Sequence, residues 1–324
     1  MLRSWDAWNS IMSDENLLKR VKEWLASSGF PLEFFTSEVF RKQGFSVHQG
    51  HYAREPGEET LREIDVQADA NFKLLNGDLL RISYLIECKW SRDKPWVIFT
   101  SADSSILPSA CIAHTIASGV SEAVLWLLAG EEELAAAATF ASPARPGFGG
   151  SRVFTESGQD MTYKALQSVV SASEAEAGSY DLYSIRRRYK SSGAHSVVFP
   201  TVVVDGDLFE AFFDKEKGET DITQVPNVRV HYRGAQKRGS ITTIDIVSKD
   251  GLEDFARSRF LEIPLLYKHL QIGCNAVLES LDKRDLKCLE LFKRAPRGVI
   301  GLPPILREVA KSMKKDTENN QLSK

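Results

Sequence analysis

The sequence predicts an α/β protein, a mixed central sheet flanked by helices, with an insertion in the core and a C-terminal α+β extension. Three observations predict it. Apolar residues recur at helical spacing over 31–43 and then give way to strand-like alternation from residue 45. Leu79–Trp90, LLRISYLIECKW, reads as a buried strand that follows the tight turn Asn76-Gly77-Asp78. Val197–Val204, VVFPTVVV, is the most β-prone stretch of the chain and comes after a helical segment.

The chain has 324 residues, enough for one large domain or two smaller ones. Its 43% hydrophobic and 26% charged content is ordinary for a globular protein. A net charge of −3 excludes a whole-chain electrostatic footprint for nucleic acid, although acids clustered at one site leave room for local basic patches. Cys88, Cys111, Cys274 and Cys288 include no C-x-x-C pair and are too scattered for a zinc ribbon or a disulfide framework. A reducing, cytoplasmic compartment is the expectation. The first 16 residues carry acids and no apolar core, so they do not read as a signal peptide. The longest apolar candidate, Ala110–Ala129, is broken by His114, Ser118, Gly119, Ser121 and Glu122, so no membrane association is expected.

In chain order, Ser13-Asp14-Glu15 opens a helix whose apolar stripe is Leu17, Leu18, Val21, Trp24 and Leu25. Pro31 suits the first turn of a second helix, Pro31–Gln43, with Gly44 as its C-cap. Its core face is Leu32, Phe35, Val39 and Phe40, and Glu38 falls between Phe34 and Phe35 at the margin of that face. Phe45–Tyr52 is a strand, with His48 and His51 as ordinary polar residues on it, and Ala53–Thr60 is a turn. Leu61–Ala70 is the next strand, with Ile64, Val66 and Ala68 on one face and Glu63, Asp65 and Gln67 on the other. Aspartate fits strands poorly, so Asp65 in mid-strand calls for a reason. In Leu79–Trp90, alternation sets Leu80, Ile82, Tyr84, Ile86 and Cys88 on one face and Glu87 and Lys89 together on the other.

Trp96–Thr100 is a short strand and Ala110–Ser118 a helix, while periodicity leaves Ala123–Leu128 open between strand and helix. Glu131–Phe140 has high helix propensity and Ala141–Gly150 reads as a loop. Gln159–Ala172 is a helix that carries Lys164 and Gln167 side by side. Ser173–Ala194 reads as a linker that turns basic at Arg186-Arg187-Arg188-Tyr189-Lys190. Strands are expected at Asp207–Phe213, Asn227–Tyr232 and Ile241–Val247, then helices at Leu252–Leu270 and Ala276–Phe292. This organisation divides the chain into a core over 1–204 with an insertion at about 91–158, a β-hairpin plus helical extension over 205–312, and a flexible tail over 313–324.

A helix with Glu38, a strand with Ile64-Asp65, a strand ending in Glu87-Cys88-Lys89 and a later helix with Lys164 and Gln167 together resemble the PD-(D/E)xK nuclease superfamily. The resemblance covers Pro31–Val204, with Ile64 replacing the usual proline before the aspartate and an insertion after Trp90 where the superfamily often passes directly to the helix. It implies a restriction-endonuclease-like fold and a metal-dependent nuclease acting on DNA, in defence or repair. Asp65 and Glu87 would bind Mg²⁺ (or Mn²⁺), which favours one or two carboxylates plus waters and phosphate. The backbone carbonyl of Cys88 would be a third ligand. Lys89 would stabilise the transition state or hold the attacking water, and Glu38 would bind a second ion or order the water. Lys164, Gln167 and Arg186, Arg187 and Arg188 would contact the nucleic acid, with Lys293–Arg297 as a further phosphate contact. A homodimer or a partner subunit is a further expectation from the same source. Two readings compete with it: a nuclease-fold module that binds nucleic acid or protein without cutting, and a structural or interaction subunit of a multi-component system, in which Glu87 and Lys89 would be a salt bridge at a sheet edge.

Overall fold

The computed structural model describes residues 16–283 except 55–60, 92–93, 103–105, 155–160, 187–192 and 234–240. The helix cap at Ser13, most of the 53–60 turn, Arg187, Arg188, Lys293–Arg297, Cys288 and the 313–324 tail lie outside those residues, as does the side chain of Arg186.

Helix α1 spans 16–26. Its stripe of Leu17, Leu18, Val21 and Trp24 is exposed, so the periodicity that forms the helix does not bury it. Helix α2 (Phe30–Gln43) has proline in its first turn and ends on Gly44, whose φ of 110° suits glycine. Strands β1 (Ser46–Arg54), β2 (Leu61–Lys73) and β3 (Leu79–Trp90) then form an antiparallel meander. The intervening segment holds β4 (Trp96–Thr100), α3 (Pro108–Ala113), β5 (Ile116–Ala117), α4 (Gly119–Leu128), α5 (Glu132–Ala135) and β6 (Gly147–Arg152). Helix α6 (Met161–Arg186) and β7 (Ala194–Asp205) follow, and β7 lies parallel to β3 over its whole length. The remaining elements are β8 (Leu208–Asp214), β9 (Glu219–Gln224), β10 (Asn227–Tyr232), β11 (Thr242–Ser248) and α7 (Leu252–Lys283).

All strands join one mixed sheet in the order β1-β2-β3-β7-β11-β10-β6-β4-β8-β9, with β5 on β7. Strands from the insertion (β4, β6) and from beyond residue 204 (β8–β11) belong to this sheet, so the expected boundary at 204 does not divide it. Helices cover both faces. On one, α2, α4 and α7 meet Leu80, Ile82, Tyr84, Ile86 and Cys88 of β3 and Val197 and Val203 of β7. On the other, α6 meets Leu85, Val198, Val202 and Val204. Two covered faces explain why most residues of β3 and β7 are buried on both sides rather than alternately.

Several segments depart from the sequence reading. Ala110–Ser118 is helical only to Ala113 and then enters β5, and the end of the expected loop Ala141–Gly150 belongs to β6. Ser173–Ala194 is not a linker up to Arg186, because α6 continues through it. Its small residues Ala172, Ala175 and Ala177 are buried against the sheet, where a close-lying helix has no room for larger ones. Glu131–Phe140 is helical only at Glu132–Ala135, because Glu262 of α7 accepts hydrogen bonds from the Ala138 N–H (2.6 Å) and the Thr139 N–H (2.9 Å), and this tertiary capture overrides propensity. The two C-terminal helices are one, α7, as far as the chain is described. The apparent break at Gly273 is a close approach, since a Cβ there would lie 2.4 Å from Val124 of α4. Ala123–Leu128 is helical and buried in α4. Among the described residues no helix is long and apolar enough to cross a membrane.

Candidate functional site

The end of β3 carries Glu87 and Lys89 on the α6 side of the sheet, as alternation requires, while Cys88 faces α2. The antiparallel register of β2 with β3 runs from Lys73↔Leu79 to Val66↔Ile86 and stops there, and one further step sets Asp65 across from Glu87. On its other side β2 pairs with β1 through Gln49↔Val66 and His51↔Ile64, skipping the step between. The skipped step is the one at which Asp65 would face Gly50, whose φ is 60°. The local irregularity breaks the expected alternation: Ile64 packs on the α6 side with Leu85 and Ala172, while Val66 and Ala68 pack on the α2 side. Asp65 thus sits where the ladder is interrupted and tolerates a strand that aspartate does not favour.

The freed side chain is held from β3. The Cys88 backbone N–H donates to Asp65 Oδ2 at 2.7 Å. Lys89 Nζ forms an ion pair with Glu87 Oε1, and the Ser168 hydroxyl of α6 donates to Glu87 Oε2 at 3.3 Å. Burial, and then the charge of Glu87, push the Asp65 carboxyl up to about 7, against the Cys88 N–H and Lys89, which oppose the rise. Burial works against the Lys89 ammonium, but the charge and hydrogen bond of Glu87, aided by Asp65, more than offset it, so Lys89 titrates above its ordinary value and is a cation at neutral pH. Burial, then Asp65, raises the Cys88 thiol well above its usual range, and its Sγ lies 3.7 Å from Thr36 Oγ1 on α2. The Cys88 side chain is therefore turned away, and only its backbone adjoins the carboxylates.

Helix α2 contributes a carboxylate, and the charge that reaches Asp65 is that of Glu33. Burial, then Glu63 and Glu87, raise the Glu33 carboxyl, with Lys89 opposing. Glu38, five residues on, is 58% exposed and ion-paired with Arg41, which places it on the solvent side of the margin where the sequence left it. The signal for Glu33 lay in its neighbours: Thr36 and Ser37, three and four positions on, are fully buried polar residues on the same helix face. On α6 the residue that touches Glu87 is Ser168, while Lys164 and Gln167 are exposed beside it.

Two carboxylates with a third nearby, backed by a lysine, are hard oxygen donors of the kind that Mg²⁺ or Mn²⁺ takes. Asp65 is raised first by burial and then by the charge of Glu87, and a cation between the two would favour its ionised form. Among the described residues no group of three or more His, Cys, Asp or Glu is arranged to hold a metal ion, and Lys89 neutralises Glu87 directly. An ion here would rest on Asp65 and Glu87, with water and substrate completing its shell, which is within the habit of Mg²⁺. No family model matches the chain, and neither does any curated protein or solved structure.

Proposed function

We propose that the protein is a metal-dependent nuclease that hydrolyses phosphodiester bonds, with DNA as its substrate. The observation that carries this reading is Asp65 held by the Cys88 N–H and raised in part by the charge of Glu87, with the Glu87–Lys89 ion pair beside it, at the ends of β2 and β3. The order α2-β1-β2-β3-α6-β7, with an antiparallel meander and β7 parallel to β3, supports the restriction-endonuclease-like core that the motif resembles.

Asp65 and Glu87 would hold the ion, which neutralises developing negative charge and acidifies the attacking water. Glu87 also fixes Lys89 by their ion pair, and Ser168 fixes Glu87 from α6. Lys89 is charged at neutral pH, so it stabilises charge on the phosphoryl oxygens rather than accepting the water's proton. Glu33, partly buried and raised by its neighbours, is placed to order water beside the carboxylates. The Cys88 N–H orients Asp65.

The direct Lys89–Glu87 pair favours a second reading, a nuclease-fold module that binds a nucleic acid or a protein without cutting. Plasmid nicking in Mg²⁺ or Mn²⁺ separates the two. The nuclease reading expects cation-dependent nicking that falls at least about 100-fold in Lys89→Ala, the range of a lost transition-state donor. Calorimetric titration should show cation binding that Asp65→Ala abolishes and Lys89→Ala retains. Wild-type protein that binds no cation and cuts nothing would leave the binding module as the function.

A further inference from the structure

A cavity of about 540 Å³ lies against the N-terminal part of α6, on the same side of the sheet as Glu87. Its walls include Tyr163 and Leu166 of α6, Phe148 of β6, Tyr232 and Arg233 at the end of β10, and Ser101 after β4. The aromatic rings come in two tilted pairs, Phe99 with Phe148 at 6.4 Å and Tyr163 with Tyr232 at 6.3 Å. Phe148 is 67% exposed and Tyr163 51%. Tyr232 also packs against the core under α6, but Phe148 and Tyr163 are exposed and lie outside the core clusters, and a gathered exposed aromatic surface is more often a binding surface than an accident of packing. Burial, then the hydrogen bond with Tyr163, push the Tyr232 hydroxyl up to about 12, so that wall stays uncharged at neutral pH.

The chemistry of the walls selects a planar ring with an anionic neighbour. Aromatic faces stack bases with little regard to sequence, and the Arg233 guanidinium at the rim suits a phosphate. The volume falls within the roughly 300–1,000 Å³ of small-ligand pockets, which admits a base and excludes a duplex. Leu166 lines the cavity and Ser168 donates to Glu87, so one turn of α6 serves both places.

We propose that this cavity receives one unpaired nucleobase of the substrate strand, stacked on Tyr163 and Phe148 with its phosphate against Arg233. The substrate class is then nucleic acid with a single-stranded or extruded base a few nucleotides along the strand from the bond to be cut, because β10 lies three strands from β3 in the sheet. The inference rests on the nuclease reading for its substrate, but stacking itself requires neither cation nor cleavage.

The test titrates the full chain, in EDTA, into a single-stranded oligonucleotide carrying one 2-aminopurine. Stacking quenches that base, and the expected quench saturates with protein. Tyr163→Ala and Phe148→Ala should each weaken binding about tenfold, the size of one lost stacking contact. Ser101→Trp, which fills the cavity and keeps every wall ring, should weaken it similarly. Phe213→Ala, an exposed aromatic that does not line the cavity, should leave it unchanged. A fully paired duplex with the same label should not quench. No quench at saturating protein, wild-type affinity in any of the three cavity variants, or an equal quench in the duplex overturns the inference. Plasmid nicking on the same preparations keeps the two ideas apart: quenching without nicking retires the nuclease alone, and nicking without quenching retires the base pocket alone.

Discussion

Asp65 is the residue on which the site turns, and its titration makes a prediction of definite sign. In the unfolded chain it ionises near 3.8, and in the folded protein near 7. The folded state therefore holds its proton more tightly, and stability falls as pH rises from about 4 to about 7, by on the order of a few kcal/mol for this group. A bound cation stabilises the ionised form and so offsets both the burial penalty and the charge of Glu87. Thermal melts between pH 5 and 8 should show the metal-free protein losing stability as pH rises, the slope flattening with Mg²⁺, and Asp65→Asn flattening it without Mg²⁺. An Asp65→Asn protein with the wild-type slope would mean that the strain lies elsewhere. The two glutamates of α2 provide a second check. Glu33→Gln should impair cation-dependent nicking by about tenfold or more, whereas Glu38→Gln, whose carboxylate faces solvent beside Arg41, should leave it within about twofold. The reverse ranking would restore Glu38 to the site.

Among the elements, α6 has the most to do, because it covers β3 and β7 and carries the hydroxyl that steadies Glu87. It can lie close because Ala172 and Ala175 are small. Ala175→Leu should cost about 1–3 kcal/mol by overpacking, read as a lower denaturant midpoint at unchanged slope. An unaffected midpoint would mean that the contact is looser than its 1% exposure implies. The same helix shows what the sequence could and could not disclose. Leu166, Val169 and Val170 announced it by spacing, but from Ser173 onward the buried surface is made of serine, alanine and the carboxylate Glu176, which carry no periodic apolar signal. Strands β3 and β7 were legible because they are long, rich in apolar residues and bounded by turn residues, and β2 by its alternation of Ile64, Val66 and Ala68 with polar residues. Strand β6, GFGGSR, was not, because its glycines have poor strand propensity and are held by neighbours on both sides, β10 and β4. For the site, alternation placed Glu87 with Lys89 correctly. It failed at Asp65, because a skipped ladder step has no mark in β2 itself, only Gly50 on the facing strand. Glu33 was missed because an isolated helical glutamate looks solvated until the elements around it are known.

At the scale of the molecule, one sheet joins the strands that carry the site to those that reach the far edge at β9. The edge strand is short and mostly exposed, and Lys217 with Asp214 and Asp221 sets charges at its start, an arrangement that discourages pairing with another chain. Strand β7 ties the halves together, with β3 on one side and β11 on the other, and with Val197 and Val203 in one hydrophobic cluster and Val202 and Val204 in another. Two independent domains would melt separately, but a shared central strand makes either half costly to lose alone. Ile82 of β3 and Ile98 of β4 are both fully buried, in different clusters. Replacing either by alanine should remove about 2–5 kcal/mol. Each variant is expected to shift one and the same transition, seen alike by far-ultraviolet circular dichroism and by tryptophan fluorescence, to which buried Trp96 of β4 contributes. An early, separate transition in Ile98→Ala, with the remaining structure melting at the wild-type temperature, would mean that β4, β6 and β8 fold as their own unit. The cavity beside Tyr163 would then belong to the border between two units rather than to one continuous framework.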